Sequence, residues 1–149
     1  NMNPSDPHVQ SYQGLLTSYN TIINTVKLSG PTNFRPVIES CRQAVEASFK
    51  QNPLVYSTLL IITDGLISDF PETVECIVKC SYLPMSIIIV GVGNENFEAM
   101  DHLDSDDNLL TDRFGSPCLR DIVQFVHCNQ FRGKPREHLA DAVLEELPS

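Results

Sequence analysis

Thr32 and Asp64 are the two residues whose types and placement come nearest to a chemical site. Thr32 follows the chain break Gly30-Pro31, and Asp64 ends the run Ser57-Thr58-Leu59-Leu60-Ile61-Ile62-Thr63 just before Gly65. A hydroxyl and a carboxylate are hard oxygen donors, suited to Mg²⁺ or Mn²⁺, which take octahedral oxygen coordination completed by water. In open α/β sheets, ligands collect at the carboxyl ends of strands, and the pattern places Asp64 at one. Asp64 as the cap of the following turn is an equally good reading of this segment alone.

The other constellations resolve into ordinary structure. Gly91-Val92-Gly93-Asn94-Glu95-Asn96 resembles a dinucleotide fingerprint without its third glycine, and it comes late in the strand order. It reads better as a glycine-rich strand end. Asp104-Ser105-Asp106-Asp107-Asn108 opens like a calcium loop, but Leu109 and Gly115 stand where glycine and a bidentate glutamate are needed. Cys76 and Cys80 lie one helical turn apart and His127-Cys128 follow the last apolar run, yet no second cysteine knuckle completes a zinc site. His8, His102, His127 and His138 are scattered and read as surface residues, and no G-x-S-x-G elbow is present. No reaction class is supported, and the chain is expected to be no enzyme.

The elements that must position Thr32 and Asp64 follow from periodicity. Residues 9–28 carry Leu15, Tyr19, Ile22, Ile23 and Val26 at helical spacing, and Gly30-Pro31 ends that helix. A second helix begins after Thr32-Asn33 with Pro36 in its first turn, buries Ile38, Cys41, Val45 and Phe49, and closes at Asn52-Pro53. The unbroken apolar run ending at Asp64 predicts a strand buried on both faces. Asp69 is placed to cap a third helix, with Pro71 and Glu72 in its first turn and Val74, Ile77 and Val78 as its stripe. Residues 86–93 are a second buried strand, which makes a parallel, right-handed βαβ unit with the first. A short helix over residues 96–100, an acidic loop over 101–112, a third strand over 122–126 and a last helix complete the order. That last helix opens at Gly133 and Pro135 and carries Leu139, Val143 and Leu147. The expected architecture is a narrow, doubly wound sheet of three parallel strands.

Composition narrows the partners. The chain has 149 residues, enough for one domain with a real core, and it is 42% hydrophobic. A net charge of −9 argues against nucleic acid, which needs clustered Lys and Arg. No apolar run nears the roughly 20 residues that cross a bilayer. The amino terminus, polar and with Pro4 and Pro7, does not read as a signal peptide. Five scattered cysteines read as reduced thiols of a cytosolic protein.

Several blocks resemble the A domain of the copines. They are Gly30-Pro31-Thr32-Asn33-Phe34, Leu59 through Gly65, Ser81 through Asn94, Phe97-Glu98-Ala99-Met100 with Leu103 through Asp107, and Leu119 through Val126. The likeness covers nearly all of residues 1–149 in the family's order. It implies a von Willebrand factor A-type, Rossmann-like fold used for protein binding, within intracellular proteins whose C2 domains bind phospholipid when Ca²⁺ rises. In such domains a divalent cation sits above the sheet, and Thr32 and Asp64 match two of its ligands, a threonine and the aspartate after the fourth strand.

By the same pattern the chain corresponds to the carboxyl-terminal part of the domain, beginning after the family's first three strands and lacking the aspartate-plus-hydroxyl loop that supplies the remaining ligands. Weak or absent Mg²⁺ or Mn²⁺ binding by this chain is therefore expected. So is an unpaired edge beside Thr58 to Ile62, open to a homodimer. The expected role is a non-enzymatic interaction module recruiting intracellular proteins, in a cytoplasmic protein drawn peripherally to the plasma membrane. A plant group of RING-type ubiquitin ligases carries a similar domain, so substrate recruitment for ubiquitin transfer is an alternative. A small-molecule enzyme of doubly wound fold, using a crevice near Asp64 and Gly93, is another.

Overall fold

The computed structural model describes residues 8–104, 108–145 and 147. Residues 105–107 of the acidic loop, and Pro4 and Pro7, fall outside them. The chain divides into two units, Asn1–Pro31 and Thr32–Ser149.

The first unit holds α1, Ser11–Ile23, shorter at both ends than the periodicity predicts. None of its residues is buried, and Leu15, Tyr19 and Ile23 are exposed. Thr17 and Thr21 each turn a hydroxyl back to the carbonyl four residues earlier, which satisfies it within the helix.

In the second unit, α2 (Arg35–Gln51) leads into β1 (Ser57–Thr63), then α3 (Phe70–Cys80) and β2 (Met85–Gly91). After these come α4 (Glu98–Leu103), β3 (Val123–His127), a 3-10 turn (Cys128–Phe131) and α5 (Arg136–Leu144). The three strands form one parallel sheet in the order β1-β2-β3. The fold is α/β, an open three-stranded parallel sheet flanked by helices, as the doubly wound pattern predicts.

Register explains the layers. Leu59, Ile61 and Thr63 of β1 lie opposite Ile87, Ile89 and Gly91 of β2, and the latter pair in turn with Val123, Phe125 and His127. That face carries the core. Ile87, Ile89 and Val123 are fully buried with Ile38 of α2, Ile77 of α3, and Met100 and Leu103 of α4. The opposite face presents Ser86, Ile88 and Gln124, which close a small cavity with Val143 of α5 and Leu147.

Two expectations are corrected and a third is refined. β1 is not buried on both faces: Leu60 is 54% and Ile62 66% exposed, while α5 packs chiefly on β3. Of the predicted α2 stripe, Ile38 and Val45 are buried, but Cys41 is only half-buried and Phe49 is exposed. Asp69 is the N-cap residue of α3, as expected, but its carboxylate bonds the start of a different helix, as described below.

Candidate functional site

The carboxyl ends of the strands form the rim that sequence reasoning singles out. β1 ends at Thr63, and the pairing with β2 runs one step further through the Val92 N–H, which donates to the Thr63 carbonyl at 2.8 Å. Asp64 then leaves the sheet and is exposed. Gly65 allows a close backbone approach: a Cβ here would lie 2.9 Å from Glu95 Cβ. Glu95, which sequence reasoning left unassigned, is thereby seated next to the Asp64-Gly65 turn.

Thr32 reaches the same rim by a second route. Its carbonyl accepts the Ser68 N–H at 2.9 Å. One residue on, the Asp69 carboxylate accepts the Phe34 N–H at 3.0 Å and the Arg35 N–H at 2.9 Å, one bond to each oxygen. Those amides are orphan donors at the start of α2, where a negative charge also meets the positive end of the helix dipole. The loop after β1 therefore ties down the segment that carries Thr32. The Asp69 carboxylate is engaged in this cap.

Thr32 and Asp64 differ from Asp69 in this respect. Both are exposed, and among the described residues neither side chain has a hydrogen bond or ion pair. Their oxygens fit a hard divalent cation in kind. In number they would supply two of about six positions. Among the described residues, no group of three or more His, Cys, Asp or Glu side chains converges to hold a metal ion.

Beside them, a polar lock joins the ends of β2 and β3. The Gly93 carbonyl accepts from Asn129 Nδ2 and lies 3.1 Å from His127 Nε2, and Asn129 Nδ2 also donates to Asn94 Oδ1 at 2.7 Å. His127 is thus the last residue of β3, half-buried, with its ring centroid 4.7 Å from that of Phe97. Gly91 and Gly93 are both accounted for without a nucleotide. A Cβ at Gly91 would press on the Phe97 and Phe125 rings at 2.9–3.1 Å, and Gly93 takes φ +98° to turn the chain.

The cysteines are free thiols spread through the core rather than a metal knuckle. Cys76 and Cys80 face each other along α3, and Cys76 Sγ lies 3.5 Å from Glu39 Oε2. The hydrogen bond from Cys76, together with burial, pushes the Cys80 thiol far above its ordinary range. Hydrogen bonds from Arg42 and Gln43 lower the Glu39 carboxyl to about 2. Arg42 also pairs with Glu46, so these ion pairs lie within α2, and the Cys76–Glu39 contact joins them to α3.

Among the described residues, no helix is long and apolar enough to cross a membrane. A protein-family model described as Copine matches residues 1–149, the whole chain.

Proposed function

The chain belongs to the copine family, and on that premise we propose that it serves as a non-enzymatic protein-interaction module whose docking point is the rim at Thr32 and Asp64. One observation carries this reading. Two hard oxygen side chains stand exposed and unengaged on that rim, while the neighbouring Asp69 is engaged in a helix cap. A divalent cation bound there would supply positive charge in which a partner's carboxylate finds a counterpart. Thr32 and Asp64 would hold it, and the Ser68 and Asp69 bonds orient the loop that presents Thr32. Rigid support of this kind reduces the ordering cost when a partner docks.

With two protein ligands of about six, Mg²⁺ or Mn²⁺ binding by this chain is weak, and complete von Willebrand factor A-type coordination would draw on residues beyond those described. Calcium-dependent phospholipid binding and recruitment to the plasma membrane would belong to C2 domains outside the chain. Titration calorimetry with MgCl₂ and MnCl₂ tests the cation reading: millimolar or weaker affinity is expected. Tight, stoichiometric binding abolished by Asp64→Ala would overturn the two-ligand count.

A second reading is favoured by the sheet edge. Among the described residues β1 pairs with β2 alone, and it exposes Leu60 and Ile62. An unpaired apolar edge is a template for another strand. Two copies could pair there along β1. Sedimentation velocity across a concentration series decides this: a dimer weakened by Ile62→Lys supports it, and a monomer at high concentration refutes it.

A further inference from the structure

A groove of about 600 Å³ lies at the opposite pole of the sheet, at the amino ends of the strands. Its walls include Phe49 from the last turn of α2, Tyr56 before β1, Tyr82 and Leu83 between α3 and β2, and Leu119 and Arg120 before β3. Ligands of open α/β sheets gather at the carboxyl ends, so this site is independent of the Thr32–Asp64 rim.

The groove is built around a fixed cation. Arg120 Nη2 donates to the Leu83 and Met85 carbonyls at 2.7 Å each, while Nη1 makes only long approaches to Tyr56 Oη (3.4 Å) and the Asp121 carbonyl (3.5 Å). All four partners are neutral, and among the described residues no carboxylate forms an ion pair with this guanidinium. A guanidinium held by one edge is pre-organised to take a carboxylate on the other. Around it the apolar surface is exposed: Tyr82 63%, Leu119 62%, Phe49 and Tyr56 each 41%. Aromatic and arginine side chains grouped in one concave patch are the composition that carries binding energy at interfaces.

Charge selects the occupant. Lys50 and Lys79 occupy the last turns of α2 and α3, and Arg120 lines the groove itself beside Asp121. Among the described residues Arg120 forms no ion pair, so an anionic group of the occupant is its complement.

We propose that this groove docks a short acidic and apolar peptide segment of a partner protein. A carboxylate of the segment pairs with the open edge of Arg120, and its leucine or aromatic side chains seat against Phe49, Tyr82 and Leu119.

The test is fluorescence anisotropy of the whole chain with the fluorescein-labelled peptide acetyl-Asp-Glu-Leu-Tyr-Glu-Leu-Asp-amide, in EDTA. Parallel titrations use the same peptide with lysine for its acidic residues and with serine for its apolar ones. Saturable binding of the first peptide alone, weakened by salt, is expected. Tyr82→Ser and Leu119→Ser remove only exposed side chains, so they leave the fold intact. Each should weaken binding about tenfold or more, a change that Asp64→Ala should not reproduce. The proposal is overturned by absence of saturable binding, by equal binding of the lysine peptide, by full binding in both groove variants, or by loss in Asp64→Ala.

Discussion

Asp69→Ala should destabilise the protein by an amount that follows from its two bonds. The carboxylate accepts the Phe34 N–H at 3.0 Å and the Arg35 N–H at 2.9 Å. Phe34 is 3% exposed, so its amide has little recourse to water, and a buried donor left unsatisfied costs about 1–3 kcal/mol. Arg35 is exposed, and losing its half of the cap costs about 0.5–1 kcal/mol. The expected loss is about 1.5–4 kcal/mol. With a urea m-value of about 2 kcal/mol/M, the unfolding midpoint followed by far-UV circular dichroism should fall by about 1 M. Asp69→Asn keeps one acceptor oxygen and should recover about half. In NMR spectra of Asp69→Ala, the Thr32 and Ser68 amides should also move, because the cap ties their two segments together. A midpoint shift below about 0.3 M at unchanged m would refute the assignment of Asp69 as the α2 cap.

Other perturbations separate the two faces of the sheet and the packing of the core. Ile89→Ala, at a fully buried position, should cost about 2–5 kcal/mol, whereas Leu60→Lys, on the open face of β1, should stay within about 0.5 kcal/mol; urea titrations compare them. Gly91→Ala places a Cβ against Phe97 and Phe125 and should cost about 1–3 kcal/mol, lowering the melting temperature by several degrees. Burial pushes the Cys118 thiol up from 9.0 to about 11. Because the folded value is the raised one, the stability it contributes is complete below about pH 9 and is lost as pH climbs toward 11, by about 2–3 kcal/mol. The urea midpoint of the wild type should therefore fall more steeply between pH 8 and 10.5 than that of Cys118→Ala.

Local pattern carried the fold a long way. The three strands and their parallel order were readable because apolar runs of strand length alternate with helical stripes such as Val74, Ile77 and Val78, all of them buried in α3. The openness of β1 was not readable. Thr58 to Ile62 spell the same apolar run whether or not a helix covers the second face, so no local signal tells the two cases apart. Long-range polar bonds were equally hidden. Asp69 carries a strong local signal for capping α3, but its carboxylate turns instead to amides 34 and 35 residues earlier. Arg120 looks like one more surface cation until its bonds to Leu83 and Met85 show it fixed in a groove. Thr32 and Asp64 could be picked out by residue type and by the turns beside them. Their exposed, unengaged state needed the structure.

Manganese relaxation enhancement tests the central account most directly. MnCl₂ titrated into the isotopically labelled chain at low millimolar concentration should broaden the amide signals around Thr32, Asp64, Gly65 and Glu95 before others, and Asp64→Ala should remove that selectivity. Broadening centred elsewhere, with the rim untouched or unchanged by Asp64→Ala, would contradict the proposal that Thr32 and Asp64 form the cation-bearing docking point.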